Sequence, residues 1–405
     1  MRSLIVLKGL VKSEKENWVK NEKLENYFID INVIRKMYSI PDLIAPGKEV
    51  LSKSFGDVVY HRFLDVICTR LSKGCLVVVD PEQEAGNILE ILALIFGYTV
   101  FYVVQDTPED YISKQKQYSI PYYPTKRKVE LEREITSFNS FSTVDKIEIK
   151  HYKDVLNYWD DKMKKEQVFF MKKNDTVLHI SDLHSNVDLY SKLPSFSNYT
   201  KTIFHGDYID GPTVGGSRKL IDKIITSKNP RVLWLEGNHE LRLRKYLGSL
   251  VLKGSNRKEL QEYLVKTLPT DFINNTVDEF SDLTSSDARA YLEILNSKLK
   301  MFSIIITPYA KFICTHAGIR LIGQLDPRYV GNVIYGNREM NRYDRDFSEL
   351  NKRNNVWSIH AHCKYSDVWK INKFNKVINL DPPSENEVVY GVQCDNNWEF
   401  TLIEN

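Results

Sequence analysis

The sequence predicts an α/β protein of two domains, and three observations lead there. The chain has 405 residues, more than one hydrophobic core ordinarily organises. From its first residues, short apolar runs of strand character alternate with helix-like segments, the pattern of a parallel sheet with helices on its faces. In the second half each apolar run is followed by a polar cluster, and the ends of strands are where α/β sheets bind their ligands.

The first domain is expected over residues 1–145. Residues 4–7 (LIVL) read as a strand, 60–71 as a helix and 76–79 as a buried strand. Residues 88–104 are nearly all apolar and approach the roughly 20 residues a membrane-spanning helix needs. Glu90 and Gly97 divide that run, so a buried helix over 88–96, a stop at Gly97-Tyr98 and a strand over 99–104 are expected, and no membrane span. Residues 146–175 turn polar and Lys-rich, with Asp160-Asp161, Lys164-Lys165 and Lys172-Lys173, and are expected to be a linker. The second domain, 176–405, has strands expected at 177–180, 202–204, 232–235, 302–306 and 312–313. A helical insertion is expected at about 241–300, with Tyr291, Leu295 and Leu299 on one face behind a Ser285-Ser286 cap.

Composition narrows the function. A net charge of +3 is too small to signal nucleic-acid binding by itself. The five cysteines, Cys68, Cys75, Cys314, Cys363 and Cys394, are odd in number and scattered without CxxC spacing, which excludes a zinc-finger or disulfide framework and fits a reduced cytoplasm. The apolar run before Lys8 is too short for a signal-peptide core. A cytoplasmic location is expected.

Five clusters of ligand-type residues follow in order: Asp182-Leu-His184, Gly206-Asp207-Tyr-Ile-Asp210, Gly237-Asn238-His239-Glu240, Thr315-His316-Ala-Gly318 and His360-Ala-His362. Hydrolysing a phosphoester at neutral pH needs a hydroxide and charge neutralisation, and two divalent ions about 4 Å apart supply both. Asp, Asn and His donors suit hard or borderline ions and argue against a thiolate site.

These clusters resemble the calcineurin-like metallophosphoesterases, including the Ser/Thr protein phosphatases, with their DxH, GDxxD, GNH(E/D), H(A/G)G and GHx motifs. The resemblance covers residues 177 to the C-terminus and implies an α/β/β/α sandwich. It implies two divalent cations, manganese first, with iron, zinc or nickel as alternatives. Asp182 and His184 would hold the first ion, Asp207 would bridge both, and Asn238, His316 and His360 would hold the second. His362 matches a second histidine that reaches back to the first ion in some relatives. His239 falls where a general acid stands, with Asp210 to orient it and Asn238 also facing the phosphate. Two positions depart from the pattern. Gly211 replaces an arginine that grips phosphate in the protein phosphatases, for which Arg338 is the first substitute and Arg242 and Arg218 the alternatives. Ile359 replaces a glycine before His360.

Residues 4–18 (LIVLKGLVKSEKENW) have the strand, loop and helix outline of P-loop kinases, yet Glu14 and Glu16 flank Lys15 where a phosphate-binding loop needs glycine and Ser/Thr. Residues 4–128 resemble the kinase module of bacterial RNA-repair polynucleotide kinase-phosphatases, in which a P-loop kinase precedes a calcineurin-like phosphatase. The segment 28–35 tracks that module's general-base region, with Asn32 in one register and Asp30 in another. The resemblance implies a P-loop-kinase-like parallel sheet; the missing glycines, the missing Ser/Thr and Glu14 and Glu16 depart from it, so a domain that neither binds ATP nor phosphorylates is expected, and no ligase module. Basic and aromatic residues alternate in a Lys-rich segment (Lys114, Lys116, Tyr118, Tyr122, Tyr123, Lys126, Arg127, Lys128), a composition suited to a nucleic-acid strand. The expected substrate is a phosphoester at a nucleic-acid end, 3′-phosphate or 2′,3′-cyclic phosphate. A Ser/Thr protein phosphatase, a small-nucleotide hydrolase and a non-catalytic nucleic-acid-binding protein with structural metals are the alternatives.

Overall fold

The structure, a computed structural model, describes residues 2–8, 12–38, 41–45, 48–51, 56–81, 86–104, 147–211, 213–252, 258–318, 355–362, 370–372, 376–384, 386–394 and 397–404. The chain divides into two compact units, Arg2–Trp159 and Asp160–Asn405.

The first unit runs β1 (Ser3–Lys8), α1 (Lys12–Asn21), β2 (Phe28–Asp30), α2 (Ile31–Tyr38), β3 (Pro41–Ala45), β4 (Lys48–Leu51), α3 (Gly56–Ser72), β5 (Val77–Asp80), α4 (Gly86–Phe96), β6 (Thr99–Val104) and β7 (Ile147–Glu148). Its sheet has the order β2-β5-β1-β6-β7, and every pair in it is parallel. Strands buried on both faces cannot alternate polar and apolar residues, which is why β1 and β5 read as continuous apolar runs. The long apolar run divides into α4 and β6 as its Gly97-Tyr98 stop requires. Among the described residues no helix is long and apolar enough to cross a membrane.

Residues 146–175 are not a bare linker. Strand β7 joins the first sheet, α5 (Tyr152–Glu166) follows, and β8 (Val168–Phe170) joins a second sheet. The Lys-rich composition hid an amphipathic helix: Tyr152, Val155 and Trp159 form its buried stripe, and the Trp159 indole donates to Ser3 Oγ at 2.8 Å.

The second unit continues with β9 (Thr176–Ile180), α6 (Val187–Lys192), β10 (Lys201–Phe204), α7 (Gly216–Thr226), β11 (Val232–Leu235), α8 (Asn238–Val251), α9 (Lys258–Lys266), α10 (Thr270–Asn275), α11 (Ser285–Lys298) and β12 (Leu299–Lys300). It closes with β13 (Phe302–Ile306), β14 (Lys311–Thr315), β15 (Val356–His360), β16 (Lys370–Asn372), β17 (Val377–Asn379), β18 (Glu387–Cys394) and β19 (Asn397–Glu404). Two six-stranded sheets form, ordered β12-β11-β10-β9-β18-β19 and β16-β17-β15-β14-β13-β8. Val177, Ile203 and Leu235 of the first share one buried apolar layer with Ile305, Phe312, Cys314, Ile359 and Ile378 of the second, giving the sandwich. Helices α8, α9 and α11 fill the expected insertion. The cap of α11 is Thr284, not Ser285-Ser286: its hydroxyl accepts from Asp287 N–H at 3.2 Å while the Asp287 carboxylate accepts from Thr284 N–H. Leu299 belongs to β12, beyond the helix, and the buried face of α11 is Ala288, Leu292 and Leu295.

Candidate active site

Strand ends and two anchored loops build the site. Asp182 follows β9, Asp207 follows β10, Asn238 opens α8 after β11, and His316 and His360 stand at the ends of β14 and β15. The loop after β10 is held from below: Tyr208 is fully buried and its hydroxyl donates to the Leu235 carbonyl at 2.6 Å. From the side it is held by Glu240, whose carboxylate accepts the backbone N–H groups of Asp207 (3.0 Å), Tyr208 (2.8 Å) and Gly237 (2.9 Å). Gly206 sits at φ 102°, and a Cβ there would come within 2.7 Å of His316 Nδ1 and 2.8 Å of Gly237 N. His184, Ser185, Asp207, Asp210 and His362 all have positive φ, five of the nine non-glycine residues that do so among those described. Left-handed backbone at such residues is sustained only where surrounding bonds impose it, and it clusters at functional sites.

Asp207 is the hub. Its Oδ2 faces His316 Nε2 at 3.3 Å, His239 Nε2 at 3.5 Å and His362 Nδ1 at 3.6 Å. Two groups of donors converge on it, His184–Asp207–His239 and Asp207–His316–His362, each with ligand atoms within 4.8 Å of one another. Asn238 Oδ1 lies 3.1 Å from His316 Nε2, and the His362 backbone N–H donates to Asp182 Oδ2 at 3.3 Å. His316 Nδ1 is bound to the His205 carbonyl at 2.7 Å, which fixes the proton there and leaves Nε2 as the free donor atom. Asp207 and His316 are buried, whereas the side chains of His184, His239 and His362 keep 14%, 15% and 28% of their surface and line the open face.

The electrostatics show a surplus of negative charge. Burial and the neighbouring charges of Asp207 and Asp381 push the Asp182 carboxyl well above the usual carboxylate range, and its Oδ1 is buried without a hydrogen-bond partner. Burial likewise raises Glu240, to about 7, with Asp207 adding to the rise. Burial opposes ionisation of Asp207 too, but the imidazoles of His239, His316 and His362 hold it well below its ordinary value. A cation beside Asp182 and Asp207 relieves the repulsion between them.

On the other side, His239 Nδ1 lies 2.9 Å from Asp210 Oδ2, which also accepts from Arg242 Nη1 at 2.8 Å. Burial works against a charged His239, yet the carboxylates of Asp207 and Asp210 outweigh it and raise the imidazole above its ordinary value. Burial opposes the Asp210 charge as well, and the bonds from His239 and Arg242 overcome it to lower the carboxyl. The arrangement presents a protonated Nε2 toward Asp207 and the open face.

The arginines divide. Arg242 is committed to Asp210. Arg218 turns to residues 279–282, donating to the Glu279 carbonyl at 2.9 Å and pairing with Asp282 at 2.5 Å with its guanidinium over Phe280. Arg338 lies outside the described residues, as does the Lys-rich segment of the first unit. Gly211 leaves no room for the arginine of the protein phosphatases, since a Cβ there would stand 1.7 Å from the His184 carbonyl oxygen. Ile359 is fully buried in the layer between the sheets, and His360 follows it with Nδ1 on the Ala361 carbonyl at 2.9 Å, its basicity lowered to about 4 by burial. His239, expected only as an acid, also lies at ligand distance in the first group. Glu240 was read as part of a cluster without its anchoring role, and Asp381 was missed as part of the site. Leu380-Asp381 follows strand β17 (Val377–Asn379) much as the clusters follow theirs, which was the available signal.

A sandwich with carboxylates, imidazoles and a carboxamide converging at its strand ends defines a metal-dependent phosphoester hydrolase. The calcineurin-like phosphoesterase family matches residues 176–391, more than half of the chain, and the protein belongs to that family. A solved structure described as that of "a putative diadenosine tetraphosphatase" is 18% identical, covers 59% of this chain and 99% of that one, and has a TM-score of 0.38. No curated relative matches the chain.

Proposed function

We propose that the protein is a metal-dependent phosphatase or phosphodiesterase acting on phosphate ends of RNA or DNA, 3′-phosphate or 2′,3′-cyclic phosphate. The observation that carries the reaction class is Asp207, with three imidazole nitrogens around one carboxylate oxygen at 3.3–3.6 Å. The partnerless Asp182 Oδ1 and the crowd of buried carboxylates fit divalent cations. Asp182, His184, Asp207 and His362 would hold one ion, and Asp207, Asn238, His316 and His360 the other. The oxygen and imidazole donors suit manganese, with iron, zinc or nickel possible in the same set. Bound ions supply an activated water and neutralise charge on the phosphoryl oxygens.

The chain's own residues do the rest. Asp210 holds the Nδ1 proton of His239 and, with Asp207, favours the imidazolium, whose second proton, on Nε2, passes to the leaving oxygen as the P–O bond breaks. Arg242, on the same Asp210 oxygen, keeps that carboxylate ionised. Asn238, in the first turn of α8, would touch the phosphate.

The nucleic-acid end rests on the first unit. Ligand sites in parallel sheets lie beyond the carboxyl ends of the central strands, and there Lys15 Nζ is bound to Asp80 Oδ1 at 2.6 Å, with both side chains at most 5% exposed. Lys15 so engaged, between Glu14 and Glu16, supports a kinase-like unit that has lost ATP and kept a positioning role. Asp30 and Asn32 are both buried, and Asp30 Oδ1 accepts the Asn32 N–H at 2.7 Å, so either register leaves the base region tied into the turn between β2 and α2. The crowded Gly211 disfavours the protein-phosphatase alternative. A manganese-dependent panel tests the reading: a 3′-phosphorylated oligonucleotide, a 2′,3′-cyclic nucleotide, a phosphopeptide and an aryl phosphate. Preference for the first two supports it; preference for the phosphopeptide, or no turnover of any, contradicts it.

A further inference from the structure

Within the apolar layer between the two six-stranded sheets lies a second cluster of metal-type donors that the phosphoesterase site does not use. His179 of β9, His205 after β10 and Cys314 of β14 are each 0% exposed, and one ligand atom of each lies within 4.8 Å of the others. Polar side chains in such a layer must be satisfied internally, and their hydrogen-bond partners determine where the protons are. His205 Nδ1 faces the Thr315 carbonyl at 2.9 Å, which only an N–H can satisfy, so its lone pair is on Nε2. His179 Nε2 faces Gln393 Oε1 at 3.3 Å, and with the amide in this orientation the His179 lone pair is on Nδ1. Those two lone-pair nitrogens face each other at 3.2 Å. A proton between them would charge an imidazole in an apolar layer, and burial lowers His179 to about 3.

A metal cation resolves the conflict. Two imidazole nitrogens bound to zinc at about 2.0–2.1 Å with tetrahedral angles stand roughly 3.3 Å apart, close to the spacing of this pair. Each ring also donates its other N–H to an oxygen acceptor, the arrangement that metal-ligating histidines almost always show. Cys314, buried in β14, would bind the cation as its thiolate. We propose that His179 Nδ1, His205 Nε2 and Cys314 Sγ form a buried zinc site, separate from the two-ion phosphoesterase centre, that clamps β9 and β10 to β14. It touches the phosphoesterase centre at His205, whose backbone carbonyl receives the Nδ1 proton of His316. Because the donors are fully enclosed, the ion enters as the chain folds.

The phosphoesterase centre, with oxygen and imidazole donors, gives no thiolate signal, so the test does not depend on the catalytic reading. The full chain is produced in cobalt-supplemented minimal medium and its near-ultraviolet spectrum recorded. The expected result is a sulfur-to-cobalt charge-transfer band at one cobalt per chain, retained in Asp207→Asn and Cys363→Ser, and lost in Cys314→Ser. Zinc-grown protein should correspondingly keep one zinc per chain in Asp207→Asn and lose it in His205→Gln. A wild-type spectrum without the band overturns the proposal whatever the variants do, and leaves a hydrogen-bonded chain closed by a reversed Gln393 amide. A band that survives Cys314→Ser and disappears in Cys363→Ser overturns it as well.

Discussion

Each of the two units gathers buried charge beyond the ends of its strands, and the two do opposite things with it. In the first unit, Lys15 and Asp80 face each other as one cation and one anion and neutralise themselves. In the second, Asp182, Asp207, Asp381 and Glu240 crowd together around imidazoles that burial makes reluctant to charge, and Asp182 is forced toward its protonated form. The first is complete without a ligand. The second holds more buried negative charge than its own cationic groups balance, which suits added cations, and this difference in charge balance distinguishes the two strand ends.

Among substitutions meant to spare the cations, the largest expected effect falls on His239. Replacing it with alanine removes the acid but spares most of the donors around Asp207, so kcat should drop by about 10²–10⁴-fold on an oligonucleotide phosphate, whose leaving oxygen needs a proton. The drop on an aryl phosphate should be smaller. Equal losses on both substrates would show that His239 serves chiefly as a ligand.

Next comes the self-neutralised pair. Lys15→Ala leaves Asp80 buried without its cation and should cost the first unit about 3–5 kcal/mol in denaturant unfolding. Aryl phosphate turnover should hardly change. Unaltered stability would mean that the pair is not the closed unit described above, and micromolar ATP binding to wild type that is lost in this variant would reopen a phosphate role for the loop.

The smallest effect sharpens the electrostatics. His239 is raised above its ordinary value by Asp207 and Asp210 against the opposing effect of burial. An acid must be protonated to act, so kcat should fall as pH rises through that raised value. Asp210→Asn removes one of the raising charges, and the alkaline limb should move to lower pH. A limb that stays in place assigns the profile to another group.

Much of this was legible in the sequence where one residue type forces one structure. The runs at 177–180, 202–204 and 232–235 became parallel strands, and the Asp and His residues after them were drawn to one place because a parallel sheet aligns its carboxyl ends. What stayed hidden depends on distant partners. Arg218 reads like any phosphate-gripping arginine until Asp282, far along the chain, captures it. Glu240 reads as a motif residue, while its work is to hold three backbone N–H groups of two loops. The helix at 152–166 was masked by its lysines, since composition averages over the face that Val155 and Trp159 bury. His179 looked like an ordinary strand residue because nothing local tells that His205, from the neighbouring strand, and Cys314, from the opposite sheet, meet it.

The central claim is that one carboxylate, Asp207, organises two cations and the reaction with them. Metal content by equilibrium dialysis against manganese, measured alongside aryl phosphate turnover, tests it in wild type and Asp207→Asn. The account predicts about two manganese ions per wild-type chain from the two-ion arrangement, and in the variant a loss of both manganese and turnover while the fold is retained. Wild-type turnover by Asp207→Asn with its full manganese content would contradict the account.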